Sequence, residues 1–206
     1  MESRWISFIN RLSAEGAQRA AVLFRILESL YRHPPRAYHN LDHVRNLLQV
    51  FDALKAEAQN PEAVEFAIWM HDCIYVPGRS DNEELSADAA CVFLSSLNCN
   101  ESFKCAVRDN VLATKHDKPG ANRDACLTAD IDLSVLAIPP KDYRENSGKI
   151  RTEFSHVDDS TFDAGRREFI ETFLGKSSIY QTNRCRAMYE SKARANLVEE
   201  RGTLST

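Results

Sequence analysis

The chain has 206 residues, 43% of them hydrophobic and 27% charged, the balance of an ordinary globular protein long enough to bury a sizeable core. A net charge of −4 gives no general attraction to nucleic acid polymers or anionic membranes, and no apolar run approaches the roughly 20 residues that a membrane span needs. Seven glycines and seven prolines are few, which favours long helices over a turn-rich β-fold.

The periodic segments have helical spacing almost throughout. From Trp5 to Tyr31, apolar residues recur at intervals of three and four, with Gly16 marking a break between two helices. Met1 to Leu12 carries Glu2, Arg4, Asn10 and Arg11, so it does not read as a signal peptide. His33-Pro34-Pro35 closes this region, because a residue before proline avoids the α conformation. Asn40 is a good N-cap for a helix whose stripe is Val44, Leu47, Leu48, Phe51 and Leu54. Asn60-Pro61 starts the next helix, with proline in its favoured first position. Ser80-Asp81-Asn82-Glu83 has the spacing of a capping box and opens a helix through about Leu97. Further helices are expected at 101–115, 125–138, 140–156, 160–174 and 184–200. Residues 1–206 therefore read as a single all-α domain, a helical bundle with a short frayed tail at 202–206. The six cysteines form no C-x-x-C pair, which leaves a zinc ribbon without support. Cys73, Cys91 and Cys126 lie in apolar stretches and read as small buried residues in a reducing, cytoplasmic setting.

Three stretches carry ionisable residues where apolar ones would be expected. In Tyr38-His39-Asn40-Leu41-Asp42-His43, His43 falls on the core side of its helix, whereas His39 precedes the cap. In Trp69-Met70-His71-Asp72-Cys73, a His-Asp pair closes an apolar run, and Asp72 meets the unfavourable end of a helix dipole. A bound cation would pair the carboxylate and occupy the imidazole lone pair. The alternative is a helix end with Asp72 in water and His71 on a backbone carbonyl. In Thr128-Ala129-Asp130-Ile131-Asp132-Leu133-Ser134, Asp132 shares a face with Val135 and Leu136, so its carboxylate needs a partner. Asp130 points elsewhere, either orienting a ligand from behind or facing solvent.

An early His, a His-Asp dipeptide at a helix end and a later Asp resemble the HD superfamily of metal-dependent phosphohydrolases. Tyr38 to His43 is also similar to the corresponding stretch of cyclic-nucleotide phosphodiesterases. Across most of the chain the pattern resembles the stand-alone group called predicted metal-dependent HD superfamily phosphohydrolases. The pattern is carried by 36–40, 67–72, 81–87, 114–116, 150–154, 165–166 and 193–197.

The resemblance implies an all-α HD-domain fold and a hydrolase acting on a small nucleotide-like phosphomonoester or phosphodiester. It implies His43, His71, Asp72 and Asp132 as metal ligands and His39 as proton donor to the leaving oxygen. Such a nitrogen–oxygen site suits Mn, Fe, Co, Ni, Zn or Mg. Arg36, Arg151 and Arg166 are candidate phosphate clamps because a guanidinium matches phosphate geometry. Lys115 with His116 is another, although His116 also fits a second metal site or a helix C-terminus. Glu83 is expected in the capping box and Glu84 near the site; His33 and His156 read as structural or exposed. Two alternatives are an HD-type di-iron oxygenase and a non-catalytic metal- or nucleotide-binding regulatory module.

Overall fold

The computed structural model describes residues 1–13, 16–33 and 36–204. Among these residues there are ten α-helices and no strand. They are α1 (Glu2–Leu12), α2 (Ala20–Tyr31), α3 (Leu41–Leu54), α4 (Pro61–Met70), α5 (Asn82–Ser96), α6 (Glu101–Leu112), α7 (Arg123–Leu133), α8 (Pro140–Glu153), α9 (Asp159–Gly175) and α10 (Asn183–Arg201). Short 3-10 turns extend α6 over Ala113–Lys115 and α7 over Ser134–Ala137. No helix among the described residues is long and apolar enough to cross a membrane.

Side-chain caps set most of the helix starts. Asn40, Asn60, Asn100 and Asn122 each accept a backbone N–H from the first turn of the helix that follows, as do Asp158 and Thr182. Asn60 acts together with Pro61 in the first turn. The expected capping box does not form: Asp81 is the N-cap of α5, and no side chain caps that end. Asp81 is instead held by Arg79 at 2.7 and 2.8 Å, and Asn82 folds back onto the N–H and carbonyl of Val76. Pro34, Pro35 and the last two residues of the expected frayed tail lie outside the described residues.

The molecule is built around α4. Its residues Ala63 to Met70 are all buried, and it packs against α3, α5, α6 and α7. The ring of Trp69 meets that of Trp5 edge-on at 5.2 Å, and Phe66 and Phe93 complete the cluster behind it. The one acid in this stretch, Glu65, reaches Arg4 at 3.2 Å and Arg11 at 3.6 Å. The apolar mass of α1 thus fixes the rod whose far end carries His71 and Asp72. Tyr31 reinforces that end by donating its hydroxyl to the Trp69 carbonyl at 3.1 Å.

Helix α10 packs on α9 and on the turn after α7, where the Asn196 amide donates to the carbonyls of Leu136 and Ile138. Helices α8 and α9 also pack on α10, and a cavity lies between them, α3, the turn after α4 and α7. All six cysteines are free thiols. Cys73 is buried as expected, but Cys91 and Cys126 are only half-buried, because the core stripe of α5 runs through Ala87, Ala90 and Leu94 and Cys91 flanks it. Cys185 is buried instead.

Candidate metal centre

His43 stands in the first turn of α3, where Asn40 accepts its backbone N–H at 3.4 Å. His71 is the C-cap of α4, and its Nδ1 donates to the Ile68 carbonyl at 3.0 Å. That bond fixes the tautomer and leaves Nε2 to face the cluster. Asp72 follows in the turn, and Asp132 comes from the last turn of α7. Both imidazoles are buried, while the Asp72 and Asp132 carboxylates keep 13% and 19% of their side-chain surface exposed. The opening is therefore on the carboxylate side.

These side chains converge. The two Nε2 atoms lie 3.3 Å apart. Asp132 Oδ1 lies 3.4 Å from His43 Nε2 and 3.6 Å from His71 Nε2. Asp72 Oδ2 is 2.9 Å from His71 Nε2 and 3.8 Å from His43 Nε2. Ligand atoms about 2.1 Å from one ion stand about 3.0 Å apart at right angles and about 3.4 Å apart at the tetrahedral angle. The His43, His71 and Asp132 atoms have that spacing and form a group that can hold a metal ion. Among the described residues no cluster elsewhere in the molecule is of this kind.

The electrostatics fit the same reading. Burial pushes the His43 imidazole down despite its bond to Asp132. Burial opposes charge on His71 as well, but Asp72 and Asp132 outweigh it and lift the ring to about 9. Burial would raise both carboxylates; His71 instead holds Asp72 low, and His116 and His43 hold Asp132 low. The cluster is thus two ionised carboxylates that demand a positive charge between them. A proton on His71 meets that demand in part, and a divalent cation meets it fully.

The centre opens into a cavity of about 530 Å³, a usual size for a small-molecule site. His39 lines it beside Tyr75, whose ring stacks on the imidazole at 4.0 Å. Behind His39 lies Glu153, the last residue of α8, fully buried. One of its oxygens accepts the backbone N–H groups of Tyr38 and His39 at 2.7 and 2.9 Å, and the other accepts His39 Nδ1 at 2.6 Å. This leaves Nε2 as the free nitrogen of His39. Burial alone would raise the Glu153 carboxyl, but its bond to His39 holds it below the ordinary value. The role of Glu153 was not visible as such in the sequence. The available signal was an acid at a helix C-terminus, the argument that singled out Asp72.

The expected phosphate clamps divide. Arg166 lines the cavity, 10% exposed, with Nε and Nη2 each 2.9 Å from a different oxygen of Glu200. Arg36 is a strap: it donates to the carbonyls of His39, Asp72 and Cys73 and so joins the loop before α3 to the turn after α4. Arg151 donates to the carbonyls of Phe154 and Val157 and to Asp159, beyond the end of α8. Lys115 turns outward to the Ser80 carbonyl and Glu84. His116 parts from it, taking a left-handed backbone (φ 58°) that brings Nε2 to 2.8 Å from Asp132 Oδ2. Its Nδ1 is buried without a hydrogen-bond partner. The two glutamates depart from their expected places: Glu83, expected in the capping box, lines the cavity, and Glu84, expected near the site, pairs with Lys115 outside it.

Asp130 neither supports a ligand nor faces solvent. It is fully buried and accepts the N–H groups of Gln181 and Thr182 at 2.7 Å, together with the Thr182 hydroxyl. Fold and site together define an all-α helical protein with a buried His/His/Asp group able to hold a metal ion. Comparison with family models, curated proteins and solved structures returned no match to this chain.

Proposed function

We propose that the chain is a metal-dependent phosphohydrolase of the HD kind, acting on a small phosphoester. The observation that carries the reading is the convergence of His43, His71 and Asp132 at one end of a cavity sized for a small molecule. Asp72, 2.9 Å from His71 Nε2, is the fourth ligand in this reading. A nitrogen–oxygen donor set of this kind suits Mn, Fe, Co, Ni, Zn or Mg. When bound, the divalent cation supplies Lewis acidity, polarising a phosphoryl oxygen and lowering the pKa of a water.

The chain's own residues do the rest. Glu153 accepts the Nδ1 proton of His39 and fixes the ring against the cavity wall, so a proton on Nε2 is the one available to the leaving oxygen. Tyr75, stacked on the same ring, keeps it from turning. His116 reaches Asp132 on the oxygen that faces away from the imidazole pair and holds that carboxylate in line.

Metal analysis of the purified protein, followed by phosphate release from a phosphoester panel, tests the reading. The expected result is one stoichiometric divalent metal and metal-dependent turnover that His71→Ala and Asp72→Ala each abolish. Equal turnover in the wild type and both variants would sink it.

A further inference from the structure

The cavity has two chemically different ends. One carries the imidazoles and carboxylates. The other is walled by Leu133 and Leu136 at the end of α7, Ile150 of α8 and Phe154 just past its end, and Phe162 and Phe169 of α9. What this second end lacks is free positive charge. Arg166 is the one guanidinium among the lining residues, and Glu200 already neutralises it through two hydrogen bonds. Arg36, Arg151 and Lys115 do not line the cavity, and backbone carbonyls and acids take up their donors. Three acids do line it: Asp72, Asp132 and Glu83. A divalent cation balances the two aspartates and leaves no surplus. A chain of phosphates would enter with several negative charges and meet no partner for most of them, a costly burial.

We propose that the site selects a substrate with a single phosphoryl group joined to a flat apolar body, and turns away polyphosphates. This rests on the phosphohydrolase reading for the position of the phosphoryl group. The body lies along Ile150, Phe154, Phe162 and Phe169, which supply apolar and aromatic surface for it. Phe162 and Ile150 are both half-buried, so each is accessible to a ligand. They are specificity-determining positions and play no part in the bond cleavage.

Two ligand pairs separate body from charge, measured by calorimetry on the metal-loaded protein with the cation in excess. 1-Naphthyl phosphate against ethyl phosphate varies the body at fixed charge; AMP against ATP varies the charge on a fixed body. The expected result is 1-naphthyl phosphate bound at least about tenfold tighter than ethyl phosphate, and AMP tighter than ATP. Phe162→Ala and Ile150→Ala should each weaken 1-naphthyl phosphate about fivefold while leaving ethyl phosphate unchanged. Two variants are used so that a folding defect in one, visible by circular dichroism, does not decide the matter. Equal binding of the two esters, or tighter binding of ATP, overturns the proposal. Phosphate release from the same four compounds separates this proposal from the reading beneath it. Selective binding without turnover of any of them removes the phosphohydrolase reading and leaves the selectivity. Turnover of all four at similar kcat/KM keeps the hydrolase and removes the selectivity.

Discussion

Asp132 is the residue on which most of the centre depends. Its Oδ1 lies within 3.6 Å of both imidazole Nε2 atoms, and its Oδ2 takes His116 at 2.8 Å. Replacing it by asparagine preserves shape but removes the charge that suits the cluster to a cation. Asp132→Asn should therefore lose metal affinity by about tenfold or more, as the loss of a ligand or its support does in other metal centres. Mass-spectrometric metal content after dialysis checks this; full occupancy in the variant would remove Asp132 from the ligand set. In the proposed reaction Glu153 acts through His39. Glu153→Gln retains a carbonyl oxygen for the two backbone N–H groups but sets an amide against His39 Nδ1, which favours the opposite tautomer. The expected effect is a fall in kcat of about a hundredfold with KM within about twofold, the signature of lost acid catalysis. A change confined to KM would show that Glu153 holds substrate instead. At this scale the cluster itself was legible, because each of its acids and imidazoles sat where an apolar residue or an oppositely charged one was expected. The clamps were not. A guanidinium suits a backbone carbonyl at a helix end as well as it suits a phosphate, and nothing local in Arg36 or Arg151 separates the two uses.

Buried carboxylates at the level of elements do what sequence periodicity cannot specify. In α7, Asp124 accepts the N–H groups of Gln59 and Asn60 at 2.7 Å and so aims α4. Six residues on, Asp130 accepts those of Gln181 and Thr182 and so starts α10. Removing such an acceptor leaves buried donors unsatisfied, so Asp130→Ala should cost about 2–4 kcal/mol. Asp88→Ala, which breaks only an exposed pair with Arg108, should stay within about 0.5 kcal/mol. Urea midpoints compare the two, and similar costs would show that the staple is dispensable. Arg166 of α9 joins Glu200 of α10 and the Tyr143 hydroxyl of α8 in a second device. Burial would raise the Glu200 carboxyl, but Arg166 holds it below the ordinary 4.5. A depressed carboxylate contributes stability that is present above its unfolded value and lost as pH falls through the folded one. The urea midpoint should therefore decline as pH falls below about 4.5, less steeply in Glu200→Gln than in the wild type. An identical decline in both would show that the clamp carries no linkage. Helix starts were legible because asparagine and proline announce them. The capping box at Ser80 misled because Arg79, one residue before it, takes Asp81. The cavity was invisible in the sequence, since it is a space enclosed by side chains from α3, α7, α8 and α9, and periodicity within one helix does not record the space between several.

For the whole molecule, the candidate centre is a joint between distant parts of the chain. His43 comes from α3, His71 and Asp72 from the end of α4, and Asp132 from α7. These helices approach with their ionisable ends together, so the metal-free fold carries mutual repulsion between Asp72 and Asp132 that the two imidazoles only partly relieve. The unfolded chain has no such juxtaposition and no comparable affinity for a cation. Binding energy at the centre is then folding energy. A free cation at a hundred times its dissociation constant should stabilise the native state by about 2.7 kcal/mol. For a chain of 206 residues unfolding as one unit this corresponds to a rise in Tm of about 5–10 °C. Thermal melts with a series of divalent cations, each followed by excess EDTA, measure it. The rise should reverse with EDTA and vanish in His71→Ala. It should persist in Phe162→Ala, whose side chain lines the cavity but is not part of the His/His/Asp group. Because the shift reads occupancy and not turnover, it distinguishes a metal protein without hydrolase activity from a chain that binds no metal. A wild-type melt unmoved by every cation would mean that the His/His/Asp convergence is an internal polar network satisfied by its own proton, and the functional reading would fall with it.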